Sequence, residues 1–273
     1  MKTLPVILLR GGGDLATGVS LRLHRVGLKV MITELPHPLA VRRMVSLGNA
    51  VYSGQMTVEG VTSRLAKSLR RAEKVMTQGE IPVFIDPELE NPYAKHFNIV
   101  ALVDARMTKR VPDTGLDAAP LVIGLGPGFV AGVNCHAAIE TNRGHFLGRV
   151  LWEGAPEPNT GVPGKVGSYQ HERVLRAPRD GVLRTLVEIG SQVSAGTRLA
   201  VVKSHAIIAP FDGVVRGLLM DGLNVHRGMK IGDLDPRNDP QLAFTVSEKA
   251  WAIGGGVLEA LLTRPEVRSA LWN

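Results

Sequence analysis

The chain is short of the residues on which several large classes of protein depend. A single cysteine, Cys135, excludes an intramolecular disulfide framework and suits a reducing compartment. Aromatic residues make up only 4%, too few for the stacking platforms that single-stranded nucleic acid requires. No run of 18 apolar residues occurs, so no membrane-spanning helix is expected. The opening segment has one lysine before an apolar strand and glycines, which is not the pattern of a secretory signal peptide. The histidines show no zinc-ligand spacing. Together these absences predict a cytoplasmic protein with no nucleic-acid or membrane partner and no bound metal.

What is present points elsewhere. Of the 273 residues 44% are hydrophobic, enough to fill the core of one large or two modest domains. The net charge of +7 and pI near 9.8 favour anionic ligands. The basic run Arg64, Lys67, Arg70, Arg71 and Lys74 reads as the solvated face of a helix over 57–79, whose apolar side is Val61, Leu65, Leu69 and Ala72.

The most informative stretch is 6–18. Four apolar residues run into Gly11, Gly12 and Gly13, and Leu15, Val19, Leu23 and Val26 then follow at helical spacing. Read as G-x-G-x-x-G/A, the motif is Gly11, Gly13 and Ala16, in which the glycines permit a tight turn and close backbone approach to a pyrophosphate. The helix start would offer N–H groups to an anion. Asp14 fits a phosphate poorly and suits the helix N-terminus. Glu34, about 20 residues on at the end of a second strand, would accept from a ribose hydroxyl. A short helix over 39–47 carries Arg42 and Arg43, which would reach a phosphate or serve as ordinary surface arginines. Residues 50–52 read as a short strand, and strands ending at Asp86 and Asp104 come next. Asp86, Asp104 and the following Arg106 stand at carboxyl ends of strands, where they would meet a ligand or serve as helix caps or turns.

A second strand, 120–123, runs into Gly124, Gly126 and Gly128, a spacing that forms an anion nest. Beyond it Asn142, Arg143 and His145 precede a strand over 146–152 and would bracket what the nest holds, as the opposite wall of a pocket whose first wall is Gly11–Gly18. Cys135 and His136 are adjacent and therefore poorly placed to pair, which leaves a lone structural cysteine and no visible nucleophile. Three further glycines, 254–256, precede an apolar stretch and read either as a third helix-terminus anion site or as a packing turn. The charged segment Asp233, Asp235, Arg237 reads as a site or a solvated turn.

Residues 177–184 repeat at 209–216 with an offset of 32 that persists through Gly190/Gly222, Val193/Val225, Gly196/Gly228 and Leu199/Ile231. Such halves predict a small β-sandwich with pseudo-twofold symmetry. The pattern resembles the barrel-sandwich hybrid of biotinyl and lipoyl domains, with Lys203 near the position of the modified lysine. Its flanks do not match a biotin acceptor, so an unmodified module is expected.

The expected fold is therefore α/β: a Rossmann-like parallel-sheet domain at 1–168, a β-rich module at 169–240, and a helical segment at 241–273 that packs back on the first domain. Across nearly the whole length the motifs R-G-G-G-D-L-A-T-G, T-E-x-P-H-P-L-A-V-R-R, G-L-G-P-G-F-x-A-G, E-T-N-R-G-H-x-L-G-R-V and K-I-G-D-L-D-P-R resemble the YqeB-type accessory proteins of selenium-dependent molybdenum hydroxylases. The N-terminal part is similar in idea to XdhC-type maturation factors. The resemblance implies a maturation role, a hydroxylase apoprotein as partner, and a molybdopterin dinucleotide as ligand. An NAD(P)-dependent oxidoreductase and a non-catalytic carrier or interaction module remain alternatives.

Overall fold

The computed structural model describes residues 4–108 and 110–272. It divides into two compact units, each discontinuous in sequence: one of residues 1–38, 47–159 and 246–273, the other of 39–46 and 160–245. The divisions fall at 159/160 and 245/246, and 39–46 joins the second unit, in place of successive blocks split at 168/169 and 240/241.

The first unit is built on β1 (Pro5–Arg10), β2 (Lys29–Glu34), β3 (Gln55–Val58), β4 (Val61–Leu65), β5 (Ile81–Ile85), β6 (Asn98–Asp104), β7 (Val122–Leu125), β8 (Ala137–Ile139) and β9 (Val150–Leu151). They form one sheet in the order β3-β4-β5-β2-β1-β6-β7-β8-β9. The strands from β4 to β8 run parallel, and the edge strands β3 and β9 pair antiparallel. The continuous apolar run of β1 follows from burial on both faces, with Val6, Ile7 and Leu9 fully buried and Leu8 4% exposed.

The helices are α1 (Asp14–Arg25), α2 (Ala50–Ser53), α3 (Leu69–Thr77), α4 (Tyr93–His96), α6 (Glu248–Thr263) and α7 (Pro265–Trp272). Helix α1 buries Ala16, Val19, Ser20 and Leu23, while Val26 lies past its end and is half exposed. It packs along α6 at backbone range: a Cβ on Gly18 would fall 2.5 Å from the Ala250 carbonyl, and one on Gly254 would fall 2.8 Å from that of Gly18. Gly254–Gly256 therefore lie inside a helix whose N-cap is Ser247, its hydroxyl accepting from Ala250 N, and they form no helix-terminus anion site. Their low helix propensity is overridden by the closeness they allow.

Three further expectations differ from the structure. Residues 57–79 are not one helix. Glu59 and Gly60, at φ 44° and 82°, turn β3 into β4 as a two-residue hairpin with Val58 opposite Val61, and α3 starts only after Ser68. Residues 39–47 hold a 3-10 turn over Arg43–Val45, and 50–52 fall in α2. The segment 146–152 is strand only at Val150–Leu151.

The second unit contains β10 (Val174–Arg176), β11 (Gly181–Thr185), β12 (Gln192–Val193), β13 (Arg198–Val202), β14 (His205–Ile208), β15 (Gly213–Leu218), β16 (Asn224–Val225), β17 (Lys230–Asp235) and α5 (Gln241–Phe244). Two antiparallel sheets, β10-β17-β15-β12 and β14-β13-β11-β16, enclose one core that includes Leu183, Leu199, Val214, Val215 and Ile231. The offset of 32 maps β11 onto β15, β12 onto β16 and β13 onto β17, and each half lends its short strand to the other half's sheet.

The expected Rossmann-like domain followed by a biotinyl- or lipoyl-type module does not describe this architecture. The first unit is mixed α/β, with antiparallel edges. Among the described residues the crossovers from β6 to β7 and from β7 to β8 carry no α-helix, so the sheet is not doubly wound. Pro112, Pro120 and Pro127, with Gly115, Gly126, Gly128 and Gly132, interrupt those connections and cannot sustain a helix. The second unit is a pair of separate antiparallel sheets that takes in Leu39–Ser46 and α5, against which Val41 and Met44 pack. Among the described residues no helix is long and apolar enough to cross a membrane.

Asp233 and Asp235 are no solvated turn. They are 1% and 2% exposed and carry a chain of guanidinium groups: Arg173 and Arg216 on Asp233, Arg216 and Arg237 on Asp235, with Arg237 at 2.7 Å. Burial alone would raise the Asp235 pKa, but the hydrogen bonds and charge of Arg237, with Arg216, outweigh it and hold the group at about 2. A depressed carboxylate stabilises above its unfolded pKa and loses that contribution as pH falls through the folded one. Asp235→Asn should therefore lower stability at pH 7 by about 2 kcal/mol. The deficit should shrink between about pH 4 and pH 2 in urea titrations. A deficit independent of pH would remove the electrostatic account.

The helix glycines give a second prediction. A Cβ on Gly256 would sit 2.1 Å from the Gly148 carbonyl, whereas one on Gly255 meets only the Arg22 guanidinium at 3.7 Å. Gly256→Ala should destabilise by about 1–3 kcal/mol through overpacking. Gly255→Ala should stabilise by about 0.5–1 kcal/mol through helix propensity. Opposite signs in denaturant unfolding are the expected result, and equal signs would contradict the packing account.

Candidate functional site

In open α/β sheets ligands settle outside the carboxyl ends of the strands, where successive connections leave in opposite directions. In the first unit that place lies at β1, which has β2 on one side and β6 on the other. The turn Gly11–Gly13 starts there. Gly11 has φ +94°, a conformation that L side chains rarely adopt, and donates to the Thr33 carbonyl at 2.8 Å. Gly12 touches Gly48 so closely that a Cβ would stand 2.6 Å from its Cα, and its carbonyl accepts from Gly48 N at 2.8 Å. Gly13, the N-cap of α1 with φ −68° and ψ −174°, faces open space: a Cβ there meets nothing within 4 Å. Asp14 is in the first turn of α1, and Ala16 is fully buried. Thr17 fastens the turn from beneath, donating to Gly13 O and accepting from Leu47 N, both at 2.9 Å.

Glu34 holds the turn. Its Oε2 accepts from Gly12 N at 2.7 Å and its Oε1 from Leu35 N at 2.8 Å. Burial raises its pKa against these two bonds, and its charge in turn adds to the burial that raises the pKa of Tyr52. The carboxylate expected to meet a ribose is thus a brace for the glycine turn.

The ends of β1 and β6 carry a charge cluster. Arg10, 4% exposed, donates from Nη1 to Asp113 Oδ1 and Thr114 Oγ1, both at 2.9 Å, and from Nη2 to the Pro87 carbonyl at 2.6 Å. Arg106 is bidentate on Asp104, at 3.0 and 2.6 Å, and also pairs with Asp113. Thr114 donates to Asp104 at 2.6 Å. The Arg106 and Arg10 guanidinium groups hold the Asp113 carboxyl at about 2. Gly11 borders this cluster, since its Cβ would lie 3.3 Å from the Arg106 Cα. Asp86 stands apart from it, accepting from Glu90, Asn91 and Tyr93 and fixing the loop after β5.

The other expected site residues are engaged elsewhere. In the second unit Arg42 is buried, with Nη2 on the Leu242 and Thr245 carbonyls, and Arg43 donates to Leu218 O. The second glycine loop is filled by its own chain. Gly124 lies under the Phe129 ring, Gly126 against Thr141 Oγ1 and Gly128 against the Arg110 carbonyl, so a Cβ at each would come within 2.5 Å of a neighbour. The Gly126 amide is taken by Ile139 O at 3.0 Å. Asn142 is tied to Glu140 and Glu157, and Arg143 to Glu248 at 2.7 Å. His145 is exposed, with the Phe146 ring edge-on at 5.2 Å. Cys135 is fully buried and burial pushes its thiol up to about 11, which leaves it a protonated core residue. Among the described residues no group of three or more His, Cys, Asp or Glu is arranged to hold a metal ion.

Sequence reasoning missed Arg10, Asp113 and Thr114. The signal for Arg10 was present, a charge closing an otherwise apolar buried strand. Asp113 and Thr114 lie in an irregular loop and gave none.

No family model matches the chain. The "Uncharacterized protein YqeB" of Escherichia coli (strain K12) is 48% identical over 257 residues, which cover 94% of this chain and 47% of that protein. The chain thus spans about half the length of this relative. Solved structures with partial likeness include the product-bound ectoine utilization protein EutE (DoeB) from Ruegeria pomeroyi, at 11% identity and a TM-score of 0.27 over 85% of both chains. They also include a succinylglutamate desuccinylase/aspartoacylase from Rhodobacter sphaeroides, at 15% identity and 0.27 over 85% of both chains. TM-scores of this size establish no shared fold, and no chemistry follows from them. Identity of 48% along almost the whole chain makes it a member of the YqeB family.

Proposed function

We propose that the chain is an accessory or maturation factor for selenium-dependent molybdenum hydroxylases, and that it binds a nucleotide-containing anionic ligand such as a molybdopterin dinucleotide at the Gly11–Gly13 turn. The observation that carries the reading is the asymmetry of that turn. Gly12 is packed against Gly48 and braced by Glu34, while Gly13 opens onto free space at the start of a 12-residue helix. A rigid turn with one open glycine lets a pyrophosphate approach the backbone at the positive end of a helix. The net charge of +7 acts in the same direction. The motifs shared with YqeB-type proteins support the maturation role and the hydroxylase apoprotein as partner. The protein would bind and orient the nucleotide part of the ligand, and the ligand would bring its own redox chemistry. On this reading it works in the cytoplasm.

Gly13 also supplies a clean test, since its backbone angles suit any L residue and its surroundings are empty. The wild-type chain should gain on the order of 5 °C in Tm from molybdopterin dinucleotide at about 100 times its Kd. NAD or NADP should give no such shift. Gly13→Asp should keep the ligand-free Tm within a degree or two and lose the ligand-dependent gain, because its carboxylate opposes the phosphates. A gain from NAD(P) alone would replace the maturation reading with a nicotinamide-dependent enzyme. An undiminished gain in Gly13→Asp would move the site away from the turn.

A further inference from the structure

Arg10 and Arg106 come from different strands and converge on one partner, the Asp113 carboxylate. The two acids of the cluster are not equivalent. Asp104 is 1% exposed and fixed by Arg106 and Thr114, so it is the built-in counter-ion. The Asp113 side chain is 55% exposed and comes from a loop in which Val111 is 84% exposed. Arg10 is more than nine-tenths buried, yet its Nε has no hydrogen-bond partner among the described residues. Without Asp113 the cluster would hold two guanidinium groups against one buried carboxylate, beside the Gly11 backbone. Planar guanidinium forks from two directions match the oxygens of a phosphate better than a single carboxylate does.

We propose that Arg10 and Arg106 form a phosphate subsite beside the glycine turn, and that the Asp113 carboxylate is an internal stand-in which the incoming phosphate displaces. The assignment rests on the nucleotide-binding reading above and adds its regulation. While Asp113 occupies the subsite, apparent affinity is reduced by the fraction of molecules in the closed state. Asp104 and Thr114 remain on Arg106 and keep its fork aimed while the loop carboxylate leaves.

The test is calorimetric titration of the full chain with inorganic pyrophosphate, and with succinate as a carboxylate control. Asp113→Asn retains the size of the side chain and removes its charge, so the fold should persist. It should bind pyrophosphate at least about five-fold more tightly than wild type. Asp113→Glu keeps a competing carboxylate and should not tighten binding. Arg106→Gln in the Asp113→Asn background should undo the gain by about ten-fold or more. Unchanged or weaker pyrophosphate binding in Asp113→Asn, no binding in either protein, or tightening confined to succinate would each overturn the proposal. The two readings fail separately. Dinucleotide binding lost in Gly13→Asp but unaffected by Asp113→Asn would keep the turn and discard the stand-in. Tighter pyrophosphate binding in Asp113→Asn together with a silent Gly13→Asp would keep the subsite and discard the turn.

Discussion

The contact on which the first unit depends is between two backbones, Gly12 and Gly48, joined by a hydrogen bond of 2.8 Å. No side chain fits between them, since a Cβ on either residue would come within 3.0 Å of atoms of the other or of Glu34. That closeness brings Gly12 N to the Glu34 carboxylate and Leu47 N to the Thr17 hydroxyl. The turn after β1 is thereby fixed to the end of β2 and to the first turn of α1. Further along α1, Gly18 and Gly254 repeat the device and bring α1 and α6 together at carbonyl range. The unit has a rigid floor made of backbone, and Gly13 is the one member of the glycine triplet left open above it.

Beyond the positive φ it allows at turns such as Gly11 and Gly60, glycine in this sequence carries three meanings, and composition does not separate them. At Gly13 it leaves room. At Gly12, Gly18, Gly254 and Gly256 it admits another backbone. At Gly124, Gly126 and Gly128 it makes way for the Phe129 ring, Thr141 and the Arg110 carbonyl. A reading that treats every glycine cluster as an anion nest finds three, and the geometry leaves space at one. Only the tertiary neighbours decide among these meanings, because a missing Cβ looks the same in sequence whether water, carbonyl or ring fills its place.

What was legible follows the same division between local and distant causes. The strand, glycine turn and helix over 5–25, the acid that ends β2, and the 32-residue repeat with its matching strands all follow from spacing along the chain. The hairpin at Glu59–Gly60 was lost because Val61, Leu65, Leu69 and Ala72 happen to fall at helical spacing, and a two-residue turn with both φ positive outweighs that period. The helix over 248–263 was misplaced because its glycines argue against helix unless α1 is known to lie against them. The Rossmann-like expectation failed in the crossovers from β6 to β7 and from β7 to β8, where proline and glycine leave no α-helix among the described residues. Glu34 was correctly placed at the end of β2, and its orientation toward Gly12 is a contact that no sequence spacing encodes.

Neither Cys135 nor His136 is set up for covalent catalysis. A nucleophile needs a depressed pKa or an adjacent base, and the one thiol is pushed upward by burial. His136 has its Nδ1 occupied by Val122 N, and burial together with Arg264 lowers its pKa, so at neutral pH it is a neutral acceptor within the sheet. The two carboxylates held at about 2, Asp113 and Asp235, owe their shifts to arginines, which fits them to hold positive charge in place and not to abstract protons. Arginine that is neutralised internally has low affinity for outside anions, so a basic protein that pairs its arginines also limits what it binds. At the carboxyl ends of β1 and β6 the pairing is uneven, with one carboxylate buried for good and the other on an exposed loop. In the proposed phosphate subsite, that difference in burial is what would let the exposed carboxylate give way to an incoming anion.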